Sequence, residues 1–391
     1  MPYTRHPRRA AAAGIAVVLT AGLAAVAPSS QAASGSDSAD RGYIVTLRSD
    51  TRAASGEGQD IAEKYGVKIS RTYRSALNGF AVKASADEAR RLAADPSVTA
   101  VSKDITVHAD GLQPNPPSWG LDRIDQKRLP LNRSYSYPEP AGAGVTVYVI
   151  DTGVRTTHRD FGGRASSGFD FVDNDPIADD GNGHGTHVAG TIAGARYGVA
   201  KKANVVAVRV LNNQGSGTLS GVIAGIDFVT RNARKPAVAN MSLGGGANAQ
   251  LDQAVRNSIA SGVTYSVAAG NENKPASGTS PARVAEALTV AASNRGDARA
   301  PFSNYGLSVD LFAPGVDIVS AGIANDNASR TLSGTSMAAP HVAGAAALYL
   351  DQRRTAPPAE VMRMLVNRTA KNRLVNIGPG SPNRLLQVVS P

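Results

Sequence analysis

Hydrophobic residues first concentrate in one run, residues 10–27, which follows a basic start and precedes a small-x-small site at residues 30–32. A basic segment, an apolar core and a small-residue cleavage site are the three parts of a secretory signal peptide. The run is rich in alanine and barely long enough to cross a bilayer, which favours a signal peptide over residues 1–32 rather than a membrane anchor. Arg8 and Arg9 leave the general and the twin-arginine export routes open. We therefore expect a secreted protein with no membrane contact after signal removal.

The next pattern, up to residue 108, alternates between short strand-like and helix-like segments. "GYIVTLRS" alternates as a strand does, and a helical pattern follows around residues 61–65. The stretch "KISRTYRSALNGFAVKAS" predicts two strands around an Asn78-Gly79 turn, "SADEARRLAADPS" a capped helix, and "VTAVSKD" a last strand. This βαββαβ order is typical of a small α+β, ferredoxin-like module. We assign it residues 33–110, before a proline-rich, protease-sensitive link at 109–118.

Beyond residue 118 the hydrophobic pattern changes again, to continuous apolar runs that alternate with helical segments. Such runs are typical of parallel strands buried on both faces. They lie at residues 145–150, 204–211, 237–243, 262–269 and 287–293, and the helical stretches at about 184–197, 218–234, 248–261 and 336–352. The pattern predicts an α/β domain over residues 111–391 with a doubly wound, mostly parallel sheet. In such sheets ligands bind beyond the carboxyl ends of the strands.

Composition narrows the class of protein further. The chain contains no cysteine, so disulfides and cysteine-ligated zinc are excluded, and a secreted product has packing and oxygen-bound cations such as calcium to stabilise it. The formal net charge is +10, but the arginines are scattered and do not interleave with aromatic residues. This charge predicts a solvated basic surface and no nucleic-acid partner.

Three polar residues lie where a doubly wound sheet would place its ligand. Asp151 directly follows the first long apolar run, His184 lies at the start of an alanine-rich helix, and Ser336 opens the helix of "LSGTSMAAPHVAG". Each could be a turn, surface or cap residue on its own. Together they are the groups needed to activate a hydroxyl: an imidazole that takes the proton and a carboxylate that orients the imidazole. The order Asp, His, Ser differs from that of α/β-hydrolases.

From Trp119 to near its end, the chain resembles the subtilisin-like serine peptidases, most closely the proteinase K and aqualysin branch. The resemblance rests on "VIDTGVRTTHRDFGGRA", "GNGHGTHVAGTIAG", "VANMSLGGG", "VAAGNEN", "FSNYG" and "GTSMAAPHVAG". It implies that Asp151 orients His184, that His184 acts as general base and then acid, and that Ser336 attacks the scissile carbonyl. It also implies that the Asn271 amide and the Ser336 N–H form the oxyanion hole. The small residues around Ser336 would then give substrate access to these donors.

The resemblance further implies that substrate pairs as an extended strand with the chain on two sides and places its P1 side chain in an open apolar pocket. The implied substrate-binding residues are Gly215, Ser216, Gly217, Leu219, Ser242, Leu243, Gly244, Ala268, Ala269 and Gly270. Bulky hydrophobic or aromatic P1 residues are expected. Two alternatives are weaker: "HGTH" lacks the glutamate and spacing of a zinc motif, and "SLGGG" lacks the order and lysine of a phosphate loop.

The resemblance assigns a role to the small N-terminal module as well, namely that of an inhibitory propeptide whose tail lies in the substrate groove. We expect self-cleavage between residues 107 and 112. Calcium is the implied structural cofactor, with no catalytic metal; its candidate ligands are Asp122, Asp125, Gln126 and Asn132 at one site, and Ala285, Ala287 and Asp310 at another. Disulfides of aqualysin-like relatives would fall near Gly181 with Asn213, and between the 274–279 loop and Ser308.

The sequence thus predicts a self-processing, secreted serine endopeptidase that is monomeric and has protein and peptide substrates. A catalytically silent binding protein of the same fold and a secreted esterase with the same nucleophile are the competing classes. The complete set of Asp151, His184, Asn271 and Ser336 disfavours the first. The implied backbone-binding strands disfavour the second, and a serine-directed inhibitor together with a peptide-against-ester comparison separates all three.

Overall fold

A computed structural model describes residues 41–104 and 110–388 of the chain. The chain divides into two compact units, with the boundary between residues 106 and 107. The predicted signal peptide lies outside the described residues. Among those described, no helix combines the length and the apolar character needed to cross a bilayer.

The first unit is a four-stranded antiparallel sheet with two helices. Its elements are β1 (Arg41–Leu47), α1 (Gly56–Lys64), β2 (Lys68–Tyr73), β3 (Gly79–Ala84), α2 (Ala86–Ala93) and β4 (Val98–Lys103), with strand order β2-β3-β1-β4. This confirms the ferredoxin-like prediction. Ser85 and Glu88 form the capping box that starts α2. The predicted Asn78-Gly79 turn is wrong in detail: Gly79 already belongs to β3, and the Asn78 amide donates to the carbonyls of Arg48 and Thr51.

The second unit is built on a nine-stranded sheet, and the unit has further strands that pair outside this sheet. Its strands in chain order are β5 (Asp110–Pro114), β6 (Ser134–Pro138), β7 (Thr146–Asp151), β8 (Ala165–Asp170), β9 (Asn204–Arg209), β10 (Ala237–Met241), β11 (Gly245–Gly246), β12 (Thr264–Ala268), β13 (Thr279–Ser280), β14 (Leu288–Ser293), β15 (Leu311–Pro314), β16 (Ile318–Ala321), β17 (Ser329–Leu332), β18 (Ala370–Lys371) and β19 (Arg384–Leu385). The sheet order is β18-β19-β15-β14-β12-β10-β7-β9-β8, parallel except for the β18-β19 pair. The remaining strands form the pairs β5-β6, β11-β13 and β16-β17.

Helices cover both faces of this sheet, as predicted for a doubly wound fold. They are α3 (Trp119–Ile124), α4 (His184–Ala193), α5 (Leu219–Asn232), α6 (Ala249–Ala260), α7 (Thr335–Gln352) and α8 (Pro358–Asn367), with two short 3-10 helices at Arg159–Phe161 and Ala276–Gly278. Successive residues of a strand point to opposite faces. Accordingly Val147 and Val149 of β7 belong to the core with α4 and α7, and Tyr148 and Ile150 belong to the core with α5 and α6.

Central strands and the two helices behind them position the polar residues of interest. Asp151 is the last residue of β7, His184 is the first residue of α4, and Ser336 is the second residue of α7. Elements such as α8, β8 and the β16-β17 hairpin were not predicted, because their sequences lack a sustained apolar run or are too short for a clear period.

Candidate active site

Asp151 and His184 form a hydrogen-bonded acid–imidazole pair. The distance between His184 Nδ1 and Asp151 Oδ1 is 2.7 Å, and the Asp151 side chain is fully buried while that of His184 is a quarter exposed. The Thr152 N–H donates to the same Asp151 oxygen, and the Thr152 hydroxyl accepts from the Gly185 N–H. The end of β7 is thereby tied to the start of α4, which fixes the carboxylate against Nδ1 and leaves Nε2 for a reacting group.

The charges around His184 favour its protonated form. Burial lowers the pKa of His184, but the charge of Asp151, the hydrogen bond to Asp151 and the charge of Asp180 raise it, and the net pKa lies above the ordinary value. An imidazole of raised pKa is suited to act as a general base. The Ser336 hydroxyl donates to the Ser242 carbonyl at 3.1 Å. Since it has one proton, this hydroxyl must turn from the Ser242 carbonyl before it can donate to any other acceptor.

Two N–H donors converge on a space beside Ser336. Asn271 Oδ1 accepts from the Thr335 N–H at 2.8 Å and from its hydroxyl at 3.0 Å, so the amide group of Asn271 is the end left for another acceptor. A Cβ placed on Gly334 would lie 3.6 Å from Ser336 N and 3.7 Å from Asn271 Nδ2. Glycine at 334 therefore keeps open the space where both donors could reach one oxyanion.

Smallness has a different cause at two other positions of this motif. Ala338 and Ala339 are fully buried in the core of the unit, so they do not line an access path to the donors. Their size allows α7 to pack closely against the sheet. The interpretation that all small residues here serve access is therefore corrected: it applies to Gly334 but not to these alanines.

Two adjoining cavities lie next to these groups. The larger, about 630 Å³, is lined by His184 and by substrate-binding candidates Gly215, Ser216, Gly217, Leu219, Ser242, Leu243 and Gly244. The smaller, about 260 Å³, is lined by Asn271 and Ser336 together with Leu243, Gly244, Ala268 and Gly270. Ala269 is fully buried and lines neither.

The smaller cavity is less uniformly apolar than its sequence suggested. Glu272 and Lys274 line it as well as the glycine and alanine residues. Glu272 Oε2 accepts from Asn304 Nδ2 at 3.0 Å. These charged groups were missed because they follow the "AAGN" motif without a pattern that places them at a pocket.

Some of the first set of calcium-ligand candidates have oxygens that lack a hydrogen-bond partner. Asp125 Oδ1 and Gln126 Oε1 are buried and accept no hydrogen bond from the described residues. Burial, the largest cause, raises the pKa of Asp125 to about 6. Asp122 and Asn132 instead use their oxygens within the chain: Asp122 accepts two backbone N–H bonds, and Asn132 accepts two bonds from Ser134.

At the second candidate set, Asp310 Oδ2 accepts from the Thr289 N–H at 2.8 Å, and burial raises the pKa of Asp310 to about 6. Ala287 is fully buried and its N–H donates to the Val284 carbonyl, while the neighbouring Ala285 is exposed. Over the described ranges, no three or more histidine, cysteine or acidic side chains are grouped to hold a metal. Any ion at these sites must therefore draw on carbonyl, amide and water oxygens.

His187 has a structural explanation. It is fully buried, and its Nε2 lies 2.9 Å from the Ile318 carbonyl and 3.1 Å from the Arg330 carbonyl, so Nε2 carries the hydrogen. Burial lowers its pKa to about 4. A neutral imidazole that donates to backbone in this way ties α4 to the β16-β17 hairpin.

Comparison with known proteins gives two family matches and close relatives. The subtilase family model matches residues 142–385, and the peptidase inhibitor I9 model matches residues 17–110. An extracellular serine proteinase of Thermus sp. (strain Rt41A) is 52% identical over 321 residues, which cover 82% of this chain and 78% of the relative.

A second relative and a solved structure complete the comparison. The alkaline serine exoprotease A of Vibrio alginolyticus is 50% identical over 328 residues, and the match covers 82% of this chain but 60% of that relative, less than two thirds of its length. The crystal structure of a cold adapted subtilisin-like serine proteinase has a TM-score of 0.68 and 54% identity, covering 70% of this chain and 98% of that one.

Proposed function

This chain belongs to the subtilase family of serine peptidases, and from that premise we propose that it is a secreted endopeptidase that matures by cutting off its own propeptide. The observation that carries the proposal is the arrangement of three groups around two adjoining cavities. His184, held by Asp151, lines the larger cavity, while Ser336 and the Asn271 amide line the smaller one beside the space at Gly334, and the two cavities share Leu243 and Gly244.

The chemistry follows from this arrangement. Ser336 Oγ attacks the scissile carbonyl carbon while His184 takes the hydroxyl proton, and Asp151 stabilises the imidazolium. The carbonyl oxygen, now an anion, accepts from the Ser336 N–H and the Asn271 amide. His184 then gives its proton to the leaving amine, and the acyl-enzyme remains. Water, deprotonated by His184, attacks this ester; the bond to Ser336 Oγ breaks, His184 returns the proton to that oxygen, and the acid product leaves.

The substrate is proposed to be an extended polypeptide. Backbone at Gly215, Gly217 and Ser242 lines the larger cavity and offers edges for strand pairing. The smaller cavity, beside Ser336, receives the P1 side chain; its Leu243 and Ala268 walls favour a bulky hydrophobic or aromatic group. A peptide library tests this preference, and best cleavage after arginine or aspartate contradicts it.

Residues 33–110 are proposed as the inhibitory propeptide and 111–391 as the catalytic domain, with cleavage between 107 and 112. Residues 110–114 form β5, which pairs with β6, and Gln113 Nε2 donates to the Arg196 carbonyl at 2.9 Å. A cut at the start of this window leaves the pairing intact and so keeps the new N-terminus attached to its own domain. Tight binding of the severed propeptide then delays activity until that propeptide is degraded.

Calcium is proposed as a structural ion near α3. Two unpaired buried oxygens, Asp125 Oδ1 and Gln126 Oε1, fit a hard cation because they otherwise remain unsatisfied at a cost. The engaged oxygens of Asp122 and Asn132 fit it less well and support the loop instead. At the second set, Asp310 is the only carboxylate, so the site would depend on carbonyls and water.

One experiment tests the central proposal. The full chain and its Ser336→Ala variant are incubated with calcium and aromatic-P1 peptides, and protein size, peptide cleavage and labelling by a serine-directed phosphonate are followed together. Shortening, cleavage and labelling in the wild type only are expected. A variant that still matures when purified alone contradicts self-cleavage. A wild type that is not labelled and cuts no peptide points to a silent binding protein, and a labelled wild type that cleaves simple esters but no peptide points to an esterase.

A further inference from the structure

Helix α7 has a gap in its hydrogen bonding at the residue that carries the reacting hydroxyl. In an α-helix each carbonyl accepts from the N–H four residues ahead. The residue four positions after Ser336 is Pro340, which has no N–H, and its ring also pushes against that carbonyl. The Ser336 carbonyl therefore needs another donor, since an unpaired buried carbonyl is costly.

A serine side chain supplies the missing donor. Ser242 Oγ lies 2.8 Å from the Ser336 carbonyl, and the Ser242 carbonyl in turn accepts from Ser336 Oγ at 3.1 Å. Ser242, which lines the larger cavity, and Ser336, which lines the smaller one, are thus joined by a reciprocal pair of hydrogen bonds. The hydroxyl of Ser242 has one proton, and the Ser336 carbonyl can only accept, so the Ser242 proton points to Ser336.

Asn240 reinforces that direction. It is fully buried in β10, between β7 and β12, and its Nδ2 lies 2.9 Å from Ser242 Oγ. An amide nitrogen can only donate, so Ser242 must accept there and keeps its proton for Ser336. The Asn240 Oδ1 atom is buried and accepts no hydrogen bond from the described residues. A strand position otherwise suited to an apolar side chain thus retains an amide at a cost, which calls for a function.

We propose that Asn240 is a positioning residue for the peptidase reaction. Its amide orients the Ser242 hydroxyl, and that hydroxyl donates to the Ser336 carbonyl as a substitute for the N–H that Pro340 lacks. The inference rests on the proposed role of Ser336 as nucleophile. The backbone of the first turn of α7 is fixed by a series of hydrogen bonds that runs from Asn240 through Ser242 to Ser336. That backbone carries both the Ser336 N–H, one of the two oxyanion donors, and the bond from which Oγ projects. Displacements below 1 Å at such groups are sufficient to slow catalysis.

The test reverses the polarity of one atom. In Asn240→Asp a carboxylate oxygen replaces Nδ2 at nearly the same volume and attracts the Ser242 proton away from Ser336. The proposal predicts a fall in kcat of about tenfold or more with a much smaller change in KM, and an equal slowing of inactivation by a small sulfonyl fluoride, which needs little subsite binding. Full chains are matured by a trace of wild-type enzyme, and the Ser336→Ala chain treated identically supplies the background.

Rescue distinguishes positioning from general stability. Pro340→Ala restores an N–H four residues after Ser336, so adding it to Asn240→Asp should recover most of the lost kcat. The matched control is Ser266→Ala, which removes another buried strand hydroxyl bound to α7, at the Ala339 carbonyl, 2.9 Å. That carbonyl keeps its helical donor from residue 343, so the control should lower Tm and leave kcat within about twofold.

Two results overturn the inference: wild-type kcat in a folded Asn240→Asp chain, or a loss that Pro340→Ala does not relieve. If Asn240→Asp does not fold, Ser242→Ala with and without Pro340→Ala carries the same test. A wild type without peptidase activity or serine labelling would instead overturn the proposed function, so the two failures are distinguishable.

Discussion

Replacing Asp180 with asparagine removes one charge behind the proposed catalytic pair at almost constant volume. The Asp180 carboxylate is buried and accepts five hydrogen bonds. Their donors are Thr152 Oγ1, the N–H groups of Asn182, Gly183 and Thr186, and Thr186 Oγ1. Because Thr152 adjoins Asp151 and these N–H groups flank His184, the carboxylate holds the acid and the base in register.

The count of donors sets the size of the effect. If the amide nitrogen replaces Oδ2, three donors keep an oxygen, and the Thr186 hydroxyl can turn to accept; the Thr186 N–H is then left unpaired. An unpaired buried N–H costs about 1–3 kcal/mol. Losing a negative charge at the N-terminus of α4 costs about 0.3–2 kcal/mol more. The sum, about 1.3–5 kcal/mol, corresponds to a fall in Tm of roughly 3–20 °C at about 2–4 °C per kcal/mol.

The same substitution should shift the pH dependence of activity. In its proposed role His184 acts as a base only when neutral, so activity should fall as the pH drops through its pKa. The charge of Asp180 contributes to raising that pKa, so removing it lowers the pKa and moves the acid limb of kcat/KM to lower pH. The assay is kcat/KM from pH 5 to 9 with Tm at one scan rate, and Asp227→Asn on the exposed face of α5 is the control. An acid limb that stays in place or moves up refutes the electrostatic reasoning, and a Tm change under about 2 °C refutes the hydrogen-bond count.

Three further predictions concern the same domain. Asn271→Ala should lower kcat about 100-fold or more with KM nearly unchanged, which is the magnitude known for loss of an oxyanion-hole amide in this family, and steady-state kinetics that show a loss mainly in KM would contradict it. A chelator should lower the wild-type Tm by several degrees and that of Asp125→Asn by less; equal shifts would place any calcium elsewhere. A disulfide from Gly181→Cys with Asn213→Cys should stabilise the protein by about 3–4 kcal/mol, because the bridge closes a ring of about 33 residues. The two positions are adjacent, since a Cβ on Gly181 would lie 2.5 Å from Asn213 Cγ. An oxidised protein no more resistant to heat than the reduced one would show that strain cancels the gain.

Sequence patterns predicted those features of the molecule that repeat or that stand in long motifs. The central strands and the helices α4, α5, α6 and α7 were predicted because buried parallel strands produce long apolar runs and helices a regular period. The boundaries were less exact: the helix expected to extend to residue 197 ends at Ala193. Strands of two to four residues, such as β18 and β15, are defined by their neighbours in the sheet and have no period of their own to detect.

Side-chain networks could not be predicted in this way. Nothing in the order of residues shows that Asp180 accepts bonds from both sides of the proposed pair, or that Lys274 lines the same cavity as Ser336. Both depend on which loops the fold brings together over long separations in the chain. Asn240 is the clearest example of a network residue that the sequence does not reveal. A single polar residue inside an apolar strand is usually interpreted as a substitution that the core tolerates.

The apolar run of β10 and the small residues of α7 have to be understood together. Small residues let the helix approach the sheet closely enough for single hydroxyls to reach its carbonyls, as Ser266 reaches Ala339. Where the helix has all its donors, such a contact adds only stability. At Ser336 the helix lacks a donor because of Pro340, so the strand must provide it. A proline one turn after the proposed nucleophile thus transfers the positioning of that residue's backbone from the helix to Ser242, which directly follows β10 and lines the larger cavity.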